Sequence, residues 1–285
     1  MKKKIIGLLC AYGKKDWVNP SLNQALNICD EVIINVGLRT PKLKILEDET
    51  LNEIKKFHNS KIKLFQYEPE VATAQMGGIL QLKHMLKNSN FYKYDNWVWM
   101  LDLDEFYKKE FIEEVNDVIN NQKIDWIKNK DYMFFINKDL YLRGKTYRIR
   151  LYRIKLINLL SNFSFRNQFR LWGKIRDNKT YFAKNICYHY SFLTSNLYRE
   201  KVWENEYADN TNNIKLKWFN EFYKNYEINN PEKYINENYK RFNIRSVWYN
   251  NNYEADRNGD FFKFNDQHPS FFKNSKLFDI EDFRK

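Results

Sequence analysis

The sequence predicts an α/β protein with a mostly parallel sheet flanked by helices. Short apolar runs alternate with helical patterns over residues 4–101, as in chains that build parallel sheets. A tryptophan-rich apolar run at 97–101 leads directly into the acidic motif DLDE. Ligands of such sheets bind beyond the carboxyl ends of the strands, so we expect a binding site at this motif.

The individual elements follow from the spacing of apolar residues. Residues 4–12 (KIIGLLCAY) predict the first strand, and the polar stretch 13–20 predicts a loop that leads into a helix over 21–29. The pattern then predicts strands over 31–37, 61–67, 97–101 and 131–157 and helices over 46–58, 73–89 and 108–121.

Composition and charge limit the function classes. The chain has 285 residues, 43% hydrophobic and 29% charged, which is enough apolar material for a large core. Lys and Arg outnumber Asp and Glu by 48 to 36, and the net charge of +12 favours anionic partners. Three cysteines without metal-binding spacing indicate a reducing compartment and argue against a disulfide framework or a zinc finger.

The chain divides into a catalytic domain over 1–200 and a helical, aromatic-rich extension over 201–285 that packs on it. The lysines and short apolar run at the N-terminus resemble a signal peptide, but a first strand explains them better. No run approaches the roughly 18 apolar residues of a membrane span. We therefore expect a cytoplasmic protein, with peripheral membrane contact through the aromatic extension as an open alternative to simple packing.

The acidic motif is the strongest functional signal. If strand geometry continues past Leu101, Asp102 and Asp104 point to one side while Leu103 points to the core. Paired carboxylates are ligands for Mg²⁺ or Mn²⁺, although a solvated acidic turn would give the same letters. His189, after a second short apolar run, is the histidine best placed to add an imidazole ligand; stacking among tyrosines is its structural alternative.

A basic stretch follows the motif. Residues 138–176 contain eleven Lys or Arg and a single acid, Asp139. The stretch is compatible with a solvated strand face, with contact to a diphosphate or anionic acceptor, or with nucleic acid. Nucleic acid is the least favoured partner, because no recognised nucleic-acid-binding motif accompanies the charge.

The order of these segments resembles GT-A fold glycosyltransferases, which have a Rossmann-like sheet. More narrowly, a glutamine-containing helix, a tryptophan-rich strand and DLDEF resemble the glycosyltransferase family 2 and family 92-like group. The later segment RLWGKIRDNKTYFAKNICYHYSF is similar to the Trp- and Arg-containing stretch and His-Tyr segment of that group. The resemblance covers about residues 5–205.

The resemblance implies roles for individual residues. The residues implied to contact the metal or the pyrophosphate are Asp102, Asp104 and His189, and the implied cofactor is Mn²⁺ or Mg²⁺. Asn35 stands where family 2 members usually carry an Asp that contacts the base. The residues implied on the nucleotide-sugar side are Ala11, Tyr12, Asn35, Gln75 and Leu103, and those implied on the phosphate or acceptor side are Arg170, Trp172 and Lys174.

An inverting enzyme also needs a carboxylate that takes the proton of the acceptor hydroxyl. Asp177 is the only acid between residues 140 and 199 and is the candidate base, although the turn RDNK equally explains an aspartate there. Glu204, Glu206 and Asp209 are reserves, and a retaining enzyme needs no such base.

The sequence thus predicts a metal-dependent glycosyltransferase of the hexosyltransferase type. The resemblance implies a UDP- or GDP-sugar donor and a glycan, lipid-linked or protein acceptor. Two alternatives stay open: a nucleotidyltransferase that uses the same acidic metal site, and a basic phosphate- or nucleic-acid-binding protein with a degenerate site. A nucleotidyltransferase usually has a glycine-rich loop after its first strand, where this chain offers only Gly13.

Overall fold

The computed structural model describes residues 2–11, 13–38, 49–71, 74–93, 95–121, 123–144, 147–154, 179–193, 220, 223–227, 253–254 and 261–284. Its strands are β1 (Ile5–Ala11), β2 (Glu31–Val36), β3 (Ile62–Phe65), β4 (Trp97–Leu101), β5 (Glu105–Tyr107), β6 (Trp126–Asn129), β7 (Asp131–Phe135), β8 (Leu140–Gly144), β9 (Arg148–Arg153), β10 (Thr180–Phe182), β11 (Cys187–Phe192), β12 (Tyr253–Glu254) and β13 (Phe262–Lys263). Its α-helices are α1 (Lys15–Ile28), α2 (Thr50–Lys55), α3 (Ala74–Lys87), α4 (Lys109–Ile119) and α5 (Ser270–Lys273), and 3₁₀ turns cover Tyr223–Asn225 and Lys276–Asp279.

The main sheet has seven strands in the order β10-β6-β9-β4-β1-β2-β3. The run β3-β2-β1-β4 is parallel throughout, and β9 is the antiparallel strand between β4 and β6. The prediction of an α/β protein with a mostly parallel sheet flanked by helices is therefore confirmed.

The main sheet is buried on both faces. In β1, Ile5 and Leu9 pack on the side of α1, whereas Ile6 and Leu8 pack on the side of α3. A strand covered on both faces needs apolar residues at every position, because its side chains alternate between the faces. This explains the continuous apolar runs that predicted β1, β2 and β4.

Helix α1 begins earlier than the sequence predicted. The polar stretch 13–20 was expected to be a loop, but the helix starts at Lys15 and includes Pro20. Trp17 and Val18 are 3% and 1% exposed, so their burial favours helix in this stretch despite the proline signal. The predicted loop is therefore wrong except at its first two residues.

A second sheet, which the sequence did not predict, lies beside the first. Its order is β12-β8-β7-β11-β5, and β13 pairs with the same strand β8. The chain enters this sheet directly from β4 through the turn at residues 102–104, which leads into β5. This turn therefore joins the two sheets, and the acidic motif lies in it.

The described residues of 201–285 complete the second sheet and pack on its core. Strands β12 and β13 pair with β8, and Phe264, Phe272 and Phe283 belong to the large core cluster. The prediction of a helical extension concerns mainly residues outside the described part and stays a prediction. Among the described helices, none has the length and apolar character needed to cross a bilayer.

An aromatic stack around Trp17 connects this C-terminal part to α1. The Trp17 ring lies nearly parallel to that of Phe272, with 5.7 Å between ring centroids and 6° between planes. It also stacks on Tyr190 of β11 at 5.8 Å and on Phe283 at 6.2 Å. One side chain therefore contacts three separate stretches of the chain.

We expect Trp17→Ala to lower the free energy of unfolding by about 3–5 kcal/mol, because it leaves a cavity among these rings. Urea denaturation followed by circular dichroism measures the loss. Tyr92→Ala is the control, since Tyr92 is 38% exposed and its removal leaves no core cavity. Equal losses in the two variants would contradict the role assigned to the stack.

His268 should make the fold sensitive to acid. Burial, together with the charges of Lys138 and Lys108, lowers the pKa of His268 to about 4, and its Nδ1 lies 2.7 Å from the Tyr190 hydroxyl oxygen. Between pH 6.5 and 4 the unfolded chain therefore binds more protons at this residue than the folded chain, so acidification favours unfolding.

We expect His268 to contribute roughly 2 kcal/mol to the loss of unfolding free energy between pH 6.5 and 4. Urea denaturation of His268→Gln at several pH values should lack this part of the slope. His58→Gln, which changes an exposed histidine, should retain it. A wild-type slope in His268→Gln would show that another group is responsible.

Candidate functional site

The candidate site lies at the carboxyl ends of β1 and β4. Strand β1 has β2 and β3 on one side and β4 on its other side. The connections between strands therefore change direction at this point of the sheet. Open α/β sheets bind their ligands at such a switch point, in the crevice beyond the strand ends. Ala11 ends β1 and is 1% exposed, and the motif Asp102–Asp104 follows the end of β4.

The motif is a turn and does not continue β4. The backbone N–H of Glu105 donates to the carbonyl of Asp102 at 3.2 Å, which closes the turn. Asp102 is therefore exposed while Asp104 is 3% exposed, and the expectation that both share one side of a strand is wrong. Leu103 is 4% exposed and belongs to the core, as strand geometry also suggested.

Asp104 is held by a lysine that the sequence analysis did not single out. The Nζ of Lys14 contacts Oδ2 of Asp104, and the two side chains are 16% and 4% exposed. Lys14 follows Gly13, and both have left-handed backbone conformation with φ near 69° and 68°. This conformation costs a non-glycine residue on the order of 1–2 kcal/mol, so the ion pair forms on a strained backbone.

His189 lies among three carboxylates. Its Nε2 is 3.8 Å from Oδ1 of Asp104, and its Nδ1 is 3.7 Å from Oδ2 of Asp131 and 4.0 Å from Oε1 of Glu105. Burial lowers the pKa of His189, but the attraction of these carboxylates outweighs burial and the pKa is raised. The structure thus brings together two of the three predicted metal ligands.

A layer of buried ion pairs supports these residues. NH1 of Arg150 lies 2.6 Å from Oε1 of Glu105, and NH1 of Arg148 lies 3.5 Å from Oδ2 of Asp131. Burial raises the pKa of Glu105 to about 7 although Arg150 opposes the shift. Gly144 is required beside Asp131, because a Cβ there would lie 2.5 Å from Oδ1 of Asp131 and 2.8 Å from its carbonyl oxygen.

The sequence alone did not predict this layer of ion pairs. The alternating pattern of β9 allowed a solvated basic face, yet Arg150 and Arg153 are 7% and 2% exposed. Arg153 pairs with Asp125, with 3.5 Å between Nε and Oδ1. The apolar residues between these arginines could have indicated a buried strand. A basic residue on a buried strand needs an acidic partner, so the same pattern could have predicted the ion pairs. For these two arginines the solvated-face interpretation is wrong.

The strand ends of β2 and β3 carry a second polar group of residues. The Asn35 amide donates to the Tyr67 carbonyl at 3.0 Å, and its Oδ1 accepts from the Tyr67 N–H at 2.9 Å. Gln81 of α3, which is 1% exposed, donates to the same carbonyl at 3.2 Å. The ring of His84 stacks on that of Tyr67 with 4.4 Å between centroids.

Several predicted residues cannot be placed in this arrangement. Tyr12, Arg170, Trp172, Lys174 and Asp177 lie outside the described residues. The same holds for the side chain of Gln75, although its backbone lies in α3. Their roles stay predictions.

The side-chain atoms at the site that could act as metal ligands fit a hard divalent ion in part. Two ligands of one ion lie roughly 3 to 4 Å apart when each is about 2.1 Å from it, and Nε2 of His189 and Oδ1 of Asp104 are 3.8 Å apart. In the described part of the chain no group of three or more His, Cys, Asp or Glu is arranged to hold a metal. An ion bound here would take its other ligands from water or from the phosphates of a bound ligand, as Mg²⁺ commonly does.

Comparison with known proteins gives only distant likenesses. No family model and no curated protein sequence matches the chain. Among solved structures, Staphylococcus aureus TarS (residues 1–349) in complex with UDP-GlcNAc is 15% identical, with 86% of this chain and 81% of that chain covered and a TM-score of 0.44. A 4-diphosphocytidyl-2C-methyl-D-erythritol synthase is 11% identical over 70% of this chain and 99% of that chain, with a TM-score of 0.42. Scores this low establish neither a family nor an activity.

The buried pair of Glu105 and Arg150 can be tested by a double-mutant cycle. We expect Glu105→Gln and Arg150→Met each to cost about 3–5 kcal/mol of unfolding free energy, because each leaves a buried polar partner unpaired. The double variant should cost less than the sum, with a coupling energy of about 1–3 kcal/mol. Urea denaturation supplies all four values.

A matched cycle on Lys109 and Glu113 is the control. This pair is exposed, with 3.4 Å between Nζ and Oε1, and should show a coupling below about 0.5 kcal/mol. Additive costs at Glu105 and Arg150 would contradict the buried interaction.

Proposed function

We propose that this chain is a GT-A-type glycosyltransferase that moves a sugar from a nucleotide diphosphate donor to a hydroxyl acceptor. The observation that carries the proposal is the position of Asp104, His189 and Lys14 at the carboxyl ends of β1 and β4. Parallel sheets of this strand order bind nucleotides there. A carboxylate, an imidazole and an ammonium at that place are suited to hold a diphosphate directly or through an ion.

In the proposed reaction, the bond between the anomeric carbon and the diphosphate oxygen breaks and a bond to the acceptor oxygen forms. The acceptor proton passes to a base, for which Asp177 stays the candidate if configuration is inverted. Asp104 and His189 would hold Mn²⁺ or Mg²⁺. When bound, such an ion supplies positive charge that offsets the charge on the leaving diphosphate.

The finer parts of the proposal follow from the resemblance. UDP- or GDP-sugars are the proposed donors, and a glycan, a lipid-linked glycan or a protein is the proposed acceptor. A cytoplasmic location is proposed because three cysteines without a disulfide pattern fit a reducing compartment, and peripheral membrane contact is proposed from the aromatic residues after position 200. A nucleotidyltransferase is the alternative, because it would use the same carboxylates at the end of β4. The two kinds of enzyme release different products.

The test is product analysis with Mn²⁺ and a panel of UDP- and GDP-sugars. Sugar transfer releases a nucleoside diphosphate, whereas nucleotidyl transfer from a nucleoside triphosphate and a sugar phosphate releases pyrophosphate. We expect nucleoside diphosphate release, and we expect Asp104→Asn to reduce it at least about 100-fold in Mn²⁺, because a carboxylate that would hold the ion is lost.

Asp117→Asn, which changes an exposed aspartate of α4, is the control and should keep the wild-type rate. Undiminished release in Asp104→Asn would contradict the assignment of the site. Pyrophosphate release would favour the nucleotidyltransferase alternative.

A further inference from the structure

We propose that Lys14 binds the diphosphate of the donor, so that part of the binding of the nucleotide needs no divalent ion. This inference rests on the proposed function, because it assumes that the site takes a nucleoside diphosphate. Nothing in the sequence distinguishes Lys14 from its neighbour Lys15. The structure does, by its place and contacts.

The position of Lys14 is the first part of the argument. It lies between the carboxyl end of β1 and the first turn of α1, and its Nζ reaches Asp104 beyond the end of β4. The ammonium therefore lies across the switch point of the sheet, where phosphates of nucleotides are expected. Lys15, in contrast, is directed to Glu49, with 3.1 Å between Nζ and Oε2, and is exposed.

The ammonium also has capacity for an anion. A lysine has three N–H donors, and in the described part of the chain one of them is directed to Asp104. The side chain is 16% exposed, so a ligand in the crevice can reach it without unfolding the loop. Among the described residues, no side chain caps the start of α1, so the backbone N–H groups of its first turn add positive potential at the same place.

The backbone geometry supports a functional reason for this lysine. Gly13 and Lys14 both have positive φ, which a lysine adopts only with strain. Strained residues persist where the surrounding structure enforces them, often at ligand contacts. Here the strain directs the side chain toward Asp104 at the site and away from the outer face of α1, where Lys15 lies.

The charges of the described site favour Lys14 as the group for metal-free binding. Glu105 is paired with Arg150 and Asp131 with Arg148, so these arginines are already engaged. Arg148 is also partly exposed, but Lys14 is the cation that reaches from the end of β1 to Asp104 beyond the end of β4. We therefore expect a diphosphate that binds there without an ion to interact with Lys14.

The experiment measures UDP and GDP binding by isothermal titration calorimetry in EDTA and again in Mn²⁺, using the diphosphate that the wild type binds more tightly. We expect binding in EDTA, a loss of at least about tenfold in Lys14→Met, and near wild-type affinity in Lys14→Arg, which keeps the charge. Binding of the corresponding nucleoside should not change. Lys15→Met is the matched control and should bind as the wild type does.

Asp104→Asn gives a second readout with the opposite sign. It releases Lys14 from its ion pair and should raise the metal-free affinity for the diphosphate, while Asp104→Asn/Lys14→Met should show no such gain. The inference also stays testable if Lys14→Met folds poorly, because Asp104→Asn keeps the lysine.

Three results would overturn the inference. Wild-type affinity of Lys14→Met in EDTA, or binding to the wild type only with Mn²⁺, would show that Lys14 does not contact the diphosphate and would leave the proposed function intact. Absence of binding by either nucleotide, with or without Mn²⁺, would overturn the proposed function and this inference with it.

Discussion

The Glu105–Arg150 ion pair fixes the point where the chain passes from one sheet to the other. Glu105 begins β5 of the second sheet and Arg150 lies in β9 of the main sheet, and both side chains are buried. Gln24 of α1 adds two hydrogen bonds to the same strand, one to the Glu105 carbonyl and one from the Tyr107 N–H. Because the buried charges are costly to separate, the turn that precedes β5 is held in one position, and Asp104 with it.

Each of these buried acids of the site is paired with its own basic side chain. Asp104 faces Lys14, Glu105 faces Arg150, and Asp131 faces Arg148. His189 lies between these carboxylates, which explains its raised pKa. A site balanced in this way has little charge to offer an incoming diphosphate unless a cation changes its partner or a divalent ion enters. The predicted metal ion and Lys14 would each supply positive charge for the incoming diphosphate.

The sequence predicted the main sheet well because strands buried on both faces are continuous apolar runs. It predicted neither the second sheet nor the true start of α1. Three of the six strands of the second sheet have only two or three residues, and a proline such as Pro20 usually marks a helix boundary. At the site, the acidic motif indicated Asp104, and the short apolar run before His189 indicated that histidine. The partners Lys14 and Arg150 depend on contacts 90 and 45 residues away in sequence, between elements whose packing no local pattern describes.

The described C-terminal residues support the site through aromatic packing. Side chains alternate along β11, so His189 faces the carboxylates while its neighbour Tyr190 faces the aromatic core. There Tyr190 stacks on Phe272 with 4.0 Å between ring centroids, and its hydroxyl contacts His268. The C-terminal rings thereby fix the strand that positions the imidazole. The described part of a stretch that resembles no catalytic segment thus contributes to the site by packing.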